Sequence, residues 1–180
     1  MTTVDNRTPR RKALLIGVKI TAKLDTFPSI AGAHRDTELL RQLLIGVYKF
    51  RPEDTLALID DPDFSPEGRE RRWPTKRNIV RAMRELVEGT ANDDTVVFHF
   101  SGHGGQIEAL EDPDEVDHLD EILFPMDAMC TPRGGDARIP YMKYIKDDLI
   151  RNIFGQLPQD PEACSSSTVV TREMQQICPT

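Results

Sequence analysis

Apolar residues along the chain gather into short runs whose period changes from one run to the next. Lys12-Ala13-Leu14-Leu15-Ile16-Gly17-Val18 is a continuous run closed by glycine and predicts a first strand. From His34 the apolar positions Leu39, Leu40, Leu43, Leu44 and Val47 recur at helical spacing, predicting an amphipathic helix that ends near Lys49. Thr55-Leu56-Ala57-Leu58-Ile59-Asp60 reads as a second strand. Asp61 to Pro74 holds three prolines and the cluster Arg69-Glu70-Arg71-Arg72, the composition of an exposed loop. Thr75 can cap a following helix whose buried stripe is Ile79, Val80, Met83, Leu86 and Val87. Val96, Val97, Phe98 and Phe100 then form a nearly continuous run, as in a strand covered on both faces of a parallel sheet. Glu121 to Pro125 predicts a fourth short strand, stopped by its proline. Lys146 to Phe154 starts a last helix, for which Asp147 or Asp148 can serve as cap.

Strand, helix, strand, helix, strand, strand is the order of an α/β fold with a mainly parallel sheet and helices on both faces. Three parts are expected: a polar, disordered arm over 1–11, one domain over 12–157, and an irregular or disordered tail over 158–180. The tail contains Ser165-Ser166-Ser167 and predicts neither a convincing strand nor a strong helix, so the sheet is incomplete at its carboxyl-terminal end. A length of 180 residues is sized for one core.

Charge narrows the partners. The net charge is −7, with acidic residues concentrated between Glu108 and Glu121, and no long basic stripe exists to track nucleic acid. A cation is the more natural partner. No apolar run reaches the roughly 18 to 20 residues that span a bilayer, and the first residues lack a signal-peptide core. A soluble protein of the cytoplasm, or also of the nucleus, is expected. Cys130, Cys164 and Cys178 cannot all pair and show no CxxC spacing, which fits a reducing compartment. Neither GxGxxG nor a P-loop is present, so a nucleotide-binding fold is disfavoured.

Candidate chemistry centres on His103, set among Gly102, Gly104 and Gly105 just after the buried run. In open α/β sheets ligands bind beyond the carboxyl ends of strands, and a strand ending at Ser101 would deliver this imidazole to a loop there. Glycines beside it remove bulk, allow positive φ and let a substrate backbone approach. Asp36, near a helix start, reads equally as a first-turn acid stabilising the helix dipole. Carboxylates Glu108, Glu111, Asp112, Asp114, Glu115, Asp117, Asp120 and Glu121 read as a solvated run or as hard oxygen donors for Ca²⁺.

Phe98-His99-Phe100-Ser101-Gly102-His103-Gly104-Gly105-Gln106 resembles the histidine motif of the metacaspases, caspase-like cysteine peptidases. Ala13 to Val18, Gly32-Ala33-His34-Arg35-Asp36, Pro74 to Ile79, and Ile122 to Asp127 resemble further segments of that family, with Ala33 where a cysteine is usual. The resemblance covers about Lys12 to Leu157. It implies a caspase-like fold, represented by its large-subunit part, and cleavage of peptides or proteins after Arg or Lys. It implies His103 as general base, the Gly104 amide as oxyanion donor, Asp36 and Ser101 as substrate-pocket residues, and Asp120, Asp147 and Asp148 as calcium ligands. Helix capping is the other reading of Asp147 and Asp148.

The family's Asp-x-Cys-His-Ser-Gly motif is absent. Cys164 follows His103 at a workable sequence distance, but polar residues and two prolines precede it. The expectation is therefore a metacaspase-type domain that is truncated and weakly active or inactive as this chain. The alternative is a non-catalytic caspase-fold module that binds calcium or a partner peptidase, with an unpaired sheet edge beside the central strand for pairing with a related chain.

Overall fold

The computed structural model describes residues 7–19, 29–63, 66–108, 119–128, 143–158 and 168–176. Six strands form one sheet in the order β2-β1-β3-β4-β5, with β6 also paired to β3. In chain order the elements are β1 (Arg11–Gly17), α1 (Ala33–Gly46), a 3-10 turn (Pro52–Asp54), β2 (Thr55–Ile59), α2 (Pro66–Arg72), α3 (Lys76–Val87), β3 (Thr95–Glu108), β4 (Leu119–Leu123), β5 (Ile145–Lys146), α4 (Asp147–Phe154) and β6 (Thr168–Gln176). β1 runs parallel to β2 and β3, whereas β4 is antiparallel to both β3 and β5. This is the mainly parallel α/β sheet that the hydrophobic pattern predicts.

Alternation along the strands divides the core in two. Leu14, Ile16, Val96, Phe98 and Phe100 join Ile79, Met83 and Leu86 of α3 and Ile150 and Ile153 of α4. Ala13, Leu15 and Val97 pack on the other face against Leu44 of α1 and Phe50. Successive side chains of a strand point to opposite faces, so a run buried on both sides must be apolar almost throughout. α1 covers its face incompletely: Leu40 packs and Leu44 is buried, whereas Leu39, Leu43 and Val47 are exposed.

Four expectations change. The loop expected over Asp61 to Pro74 contains α2, closed by the Trp73 indole N–H donating to the Asp61 carbonyl at 3.0 Å. The Asn78 side-chain amide bonds the Glu70 and Trp73 carbonyls, both at 2.9 Å, so its anchor lies in the next helix rather than in local propensity. Residues 7–11, assigned to a disordered arm, are pinned: the Arg10 amide donates to Asp94 Oδ1 at 2.6 Å, Arg7 pairs with Asp93 and Asp94, and Arg11 opens β1. Asp147 and Asp148 lie in the first turn of α4, whose cap position is Lys146 without a side-chain cap bond.

The fourth is β6. Residues 168–176, placed by sequence in a tail without a strand, run parallel to β3 from Val96↔Thr168 to Gly104↔Gln176. Val169 and Val170 have strand propensity, but a two-residue β-branched core in a polar stretch is too weak a signal without knowing that β3 offers an edge. The edge of β3 expected to stand open is therefore occupied.

Candidate active site

β3 is organised by a change of partners. Residues 95–101 pair with β1, residues 96–104 with β6, and residues 104–108 with β4. His103 lies at the junction, two positions past the last β1 partner Ser101 and opposite Gln175. It is buried, at 1% relative exposure, and its carbonyl accepts from the Phe124 amide at 3.0 Å. The strand does not stop at Ser101 as the sequence suggests; it continues through the glycines to Glu108, so His103 is held inside a strand and not on a loop.

Packing also explains two of the glycines better than positive φ does. A Cβ on Gly102 would lie 2.8 Å from the ring of Phe100 and 3.2 Å from Val18 Cβ, and one on Gly105 would lie 3.3 Å from the ring of Phe124. Neither has positive φ. Glycine at Gly102 thus lets Phe100 fill the α3 side of the sheet while β3 runs on past β1. The expectation that these glycines serve positive φ and the approach of a substrate backbone is corrected to packing at Gly102 and Gly105.

Ser101 and His103 share strand parity with Val97, which faces α1. Ser101 is buried, its carbonyl accepting from the Val18 amide at 2.8 Å, and it pairs with Gly17. Gly17 in turn lies beneath the start of α1, where a Cβ would stand 2.8 Å from the Ala33 carbonyl and 2.6 Å from Thr37 Oγ1. Thr37 Oγ1 donates to that same carbonyl at 2.8 Å. Asp36, half-buried, lies in this first turn with its carboxylate turned back toward Gly32. Ser101 and the first turn of α1 are thus brought together through Gly17, while Asp36 also fits the dipole-stabilising role of an acid near a helix amino terminus.

A pair to which sequence reading gave no role stands at the same edge. His34 Nε2 lies 2.6 Å from Asp60 Oδ1, which also accepts the Lys19 amide at 2.8 Å. The acid immediately after the second strand was the available signal. His99, buried in β3, pairs in register with Leu15. Gly104 is paired with Leu123 on one side and Gln176 on the other. Cys130, Cys164, Cys178 and His118, with Glu111, Asp112, Asp114, Glu115 and Asp117, lie outside the described residues.

The carboxylates assigned to calcium have protein partners. Asp120 is buried and bonded by the Lys146 ammonium. That bond, against the cost of desolvation and aided by the charges of Asp120, Tyr144 and Asp148, holds the Lys146 ammonium above the ordinary lysine range. Arg151 reaches Asp147 Oδ2 at 2.7 Å and Asp148 Oδ1 at 2.8 Å. Asp147 Oδ1 is buried with no hydrogen-bond donor among the described residues. Oxygen donors suit a hard cation. As they stand, however, no three acidic, histidine or cysteine side chains among the described residues are grouped to hold a metal ion.

Two segments that carry the resemblance form one joint. The Met126 amide donates to the Pro74 carbonyl at 3.0 Å, and Asp127 Oδ1 accepts the Lys76 amide at 2.8 Å at the start of α3. This joint, the parallel sheet and the buried histidine define a caspase-like α/β domain, in part. The metacaspase peptidase C14 domain model matches residues 11–170, and the chain belongs to that family of caspase-like cysteine peptidases. Over 120 residues it is 42% identical to Metacaspase-1 of Pyricularia oryzae, covering 67% of this chain and 28% of that protein. Over 163 residues it is 41% identical to Metacaspase-3 of Arabidopsis thaliana, covering 89% of this chain and 41% of that protein. The chain therefore spans less than half the length of these relatives. In fold it is similar to GSU0716 of Geobacter sulfurreducens, with a TM-score of 0.61 at 17% identity, covering 92% of this chain and 50% of that one. No described helix is long and apolar enough to cross a membrane.

Proposed function

We propose that the chain is a metacaspase-type cysteine endopeptidase domain that cleaves after Arg or Lys, slowly in this form. The observation that carries it is the position of His103, buried beside β6 where β3 outruns β1. In the reaction His103 takes the proton of a cysteine thiol. The thiolate attacks the carbonyl carbon after the basic residue, and the Gly104 amide donates to the resulting oxyanion. Collapse of that intermediate breaks the C–N bond as the imidazolium returns its proton to the leaving amine, and water then releases the acyl group. Asp36 and Ser101 belong to the pocket for the guanidinium or ammonium group.

Strand reach favours Cys178 over Cys164 as nucleophile. β6 starts at Thr168 opposite Val96, and His103 is level with Gln175, seven residues further on. That is about 23 Å at about 3.3 Å per residue. Cys164 precedes Thr168 by four residues, which reach about 14 Å when extended. Cys178 follows Gln175 by three residues, beyond the carboxyl end of β6. An acyloxymethyl ketone carrying Arg at P1 is the test, with mass spectrometry to locate the adduct. Labelling of Cys178 that is lost in His103→Ala supports the assignment; equal labelling of all three cysteines, unaffected by His103, sinks it.

A second reading is a non-catalytic module that pairs with a related peptidase. It is favoured by the outer edge of β6, which has no strand partner among the described residues. Cytoplasmic or nuclear location stays with either reading as an expectation.

A further inference from the structure

α1 is seated on few contacts. Its buried residues are Ala33, Thr37 and Leu44, its cap position Gly32 makes no side-chain bond to the first turn, and Leu39, Leu43 and Val47 are exposed. Asp60, the residue after β2, supplies an anchor from outside the helix. Its side chain is 2% exposed, and its Oδ1 accepts from the Lys19 amide at 2.8 Å and from His34 Nε2 at 2.6 Å. A carboxylate only accepts, so the proton of the second bond sits on Nε2 of His34. Lys19 follows Val18, whose amide donates to the Ser101 carbonyl at 2.8 Å, and the Lys19 carbonyl accepts the Ile30 amide at 3.0 Å on the way into α1. One buried acid thus ties the exit of β1 and the first turn of α1 to the carboxyl end of β2. It also brings a negative charge to the amino-terminal end of that helix.

We propose that the Asp60–His34 pair is a positioning device for the substrate pocket, holding the first turn of α1, and with it Asp36, against Ser101. The inference rests on the reading of Asp36 and Ser101 as the pocket for a basic side chain. His34 and Asp36 stand two residues apart in one helical turn, so releasing His34 lets that turn shift as a unit. The close seat over Gly17 sets how near the turn lies to β1, and the bond to Asp60 carries the tie across to β2. A pocket carboxylate misplaced by about 1 Å forfeits the geometry of a bidentate bond to guanidinium. His34 acts through Asp36, so its effect falls on substrate binding and not on the chemical step.

Benzamidine, a mimic of the arginine head group, tests this by NMR titration of the full chain, following the amides of Gly17, Asp36 and Ser101. Wild type, His34→Leu and His34→Gln are compared with Thr75→Ala, whose lost cap lowers stability at the start of α3. His34→Leu should bind about tenfold more weakly than wild type, the worth of one hydrogen bond to a charged group. His34→Gln, whose amide nitrogen can take the place of Nε2, should stay within about threefold of wild type. Thr75→Ala should bind as wild type does. Equal affinity for wild type and His34→Leu overturns the positioning role and leaves the pocket standing. Weakening shared by His34→Gln and Thr75→Ala also overturns it, because lost stability would then be the cause. No binding by wild type overturns the pocket reading and this proposal together.

Discussion

Two buried carboxylates, Asp94 and Asp120, sit at different points of one sheet and are satisfied in opposite ways. Asp94, just before β3, accepts the Arg10 amide at 2.6 Å and the Ala91 amide at 3.1 Å, with Arg7 at 2.9 Å. Asp120, on β4, is bonded by the ammonium of a half-exposed lysine. Backbone donors are fixed by the fold, so Asp94 joins the chain's start to the turn before β3. The Asp120 pair rests instead on one flexible, partly exposed side chain. Burial alone separates neither case; the donor does.

The largest effect should come from Asp94→Ala, which strands two amides and two arginines. Urea unfolding should show a loss of about 3 kcal/mol, and a loss below about 1 kcal/mol would contradict the anchoring role. Gly102→Ala comes next, since its Cβ must displace Phe100; about 1–3 kcal/mol of stability should be lost, together with His103-dependent activity. Lys146→Met in EDTA should cost only about 1 kcal/mol, because water reaches the freed site from the exposed lysine side. A cost equal to that of Asp94→Ala would erase the contrast between the two acids. Thr75→Ala is the smallest change, about 1 kcal/mol or less, through loss of the bond its hydroxyl accepts from the Asn78 amide at 3.3 Å.

Acid should sharpen the same comparison. Burial opposes ionisation of Asp94, but the hydrogen bond from Arg7 and the amides of Arg10 and Ala91 outweigh it and hold its carboxyl below the usual aspartate range. Its contribution is therefore complete above the unfolded-state value of about 4 and is lost as pH falls through the lower folded value. Asp94→Asn should flatten the acid limb of a stability–pH profile; an unchanged limb would contradict the assignment. For Lys146 the sign reverses. Its folded value is raised, so its contribution is complete below the unfolded value of about 10.4 and disappears at higher pH.

Much of the frame was legible because it rests on local pattern. The runs at Ala13 to Val18 and Val96 to Phe100 read as strands because they are short, bounded and buried on both faces; Thr55 to Ile59 reads as one from its short apolar run, although at the sheet edge Leu56 is exposed, and Thr75 is an evident cap. What could not be read depends on contacts distant in sequence. α2 is held by Asn78, the Arg7–Arg10 segment by Asp94, and β6 by the free side of β3. Of the candidate site, His103, Ser101 and Asp36 are marked by resemblance alone. The reason for Gly102 could not be read, because it is the ring of Phe100, nor could the His34–Asp60 pair. Sequence marked Asp120, Asp147 and Asp148 as acids, but only the β4–β5 register shows that Lys146 reaches Asp120.

Hydrolysis of a fluorogenic peptide with Arg at P1 tests the central claim most directly, using the full chain beside His103→Ala, Cys164→Ala and Cys178→Ala. The account predicts slow turnover, kept in Cys164→Ala, abolished in Cys178→Ala, and reduced about 10²–10⁴-fold in His103→Ala, the usual worth of a general base. A folded chain that releases no fluorophore, or turnover indifferent to His103, would contradict it and leave the non-catalytic module as the function of this fold.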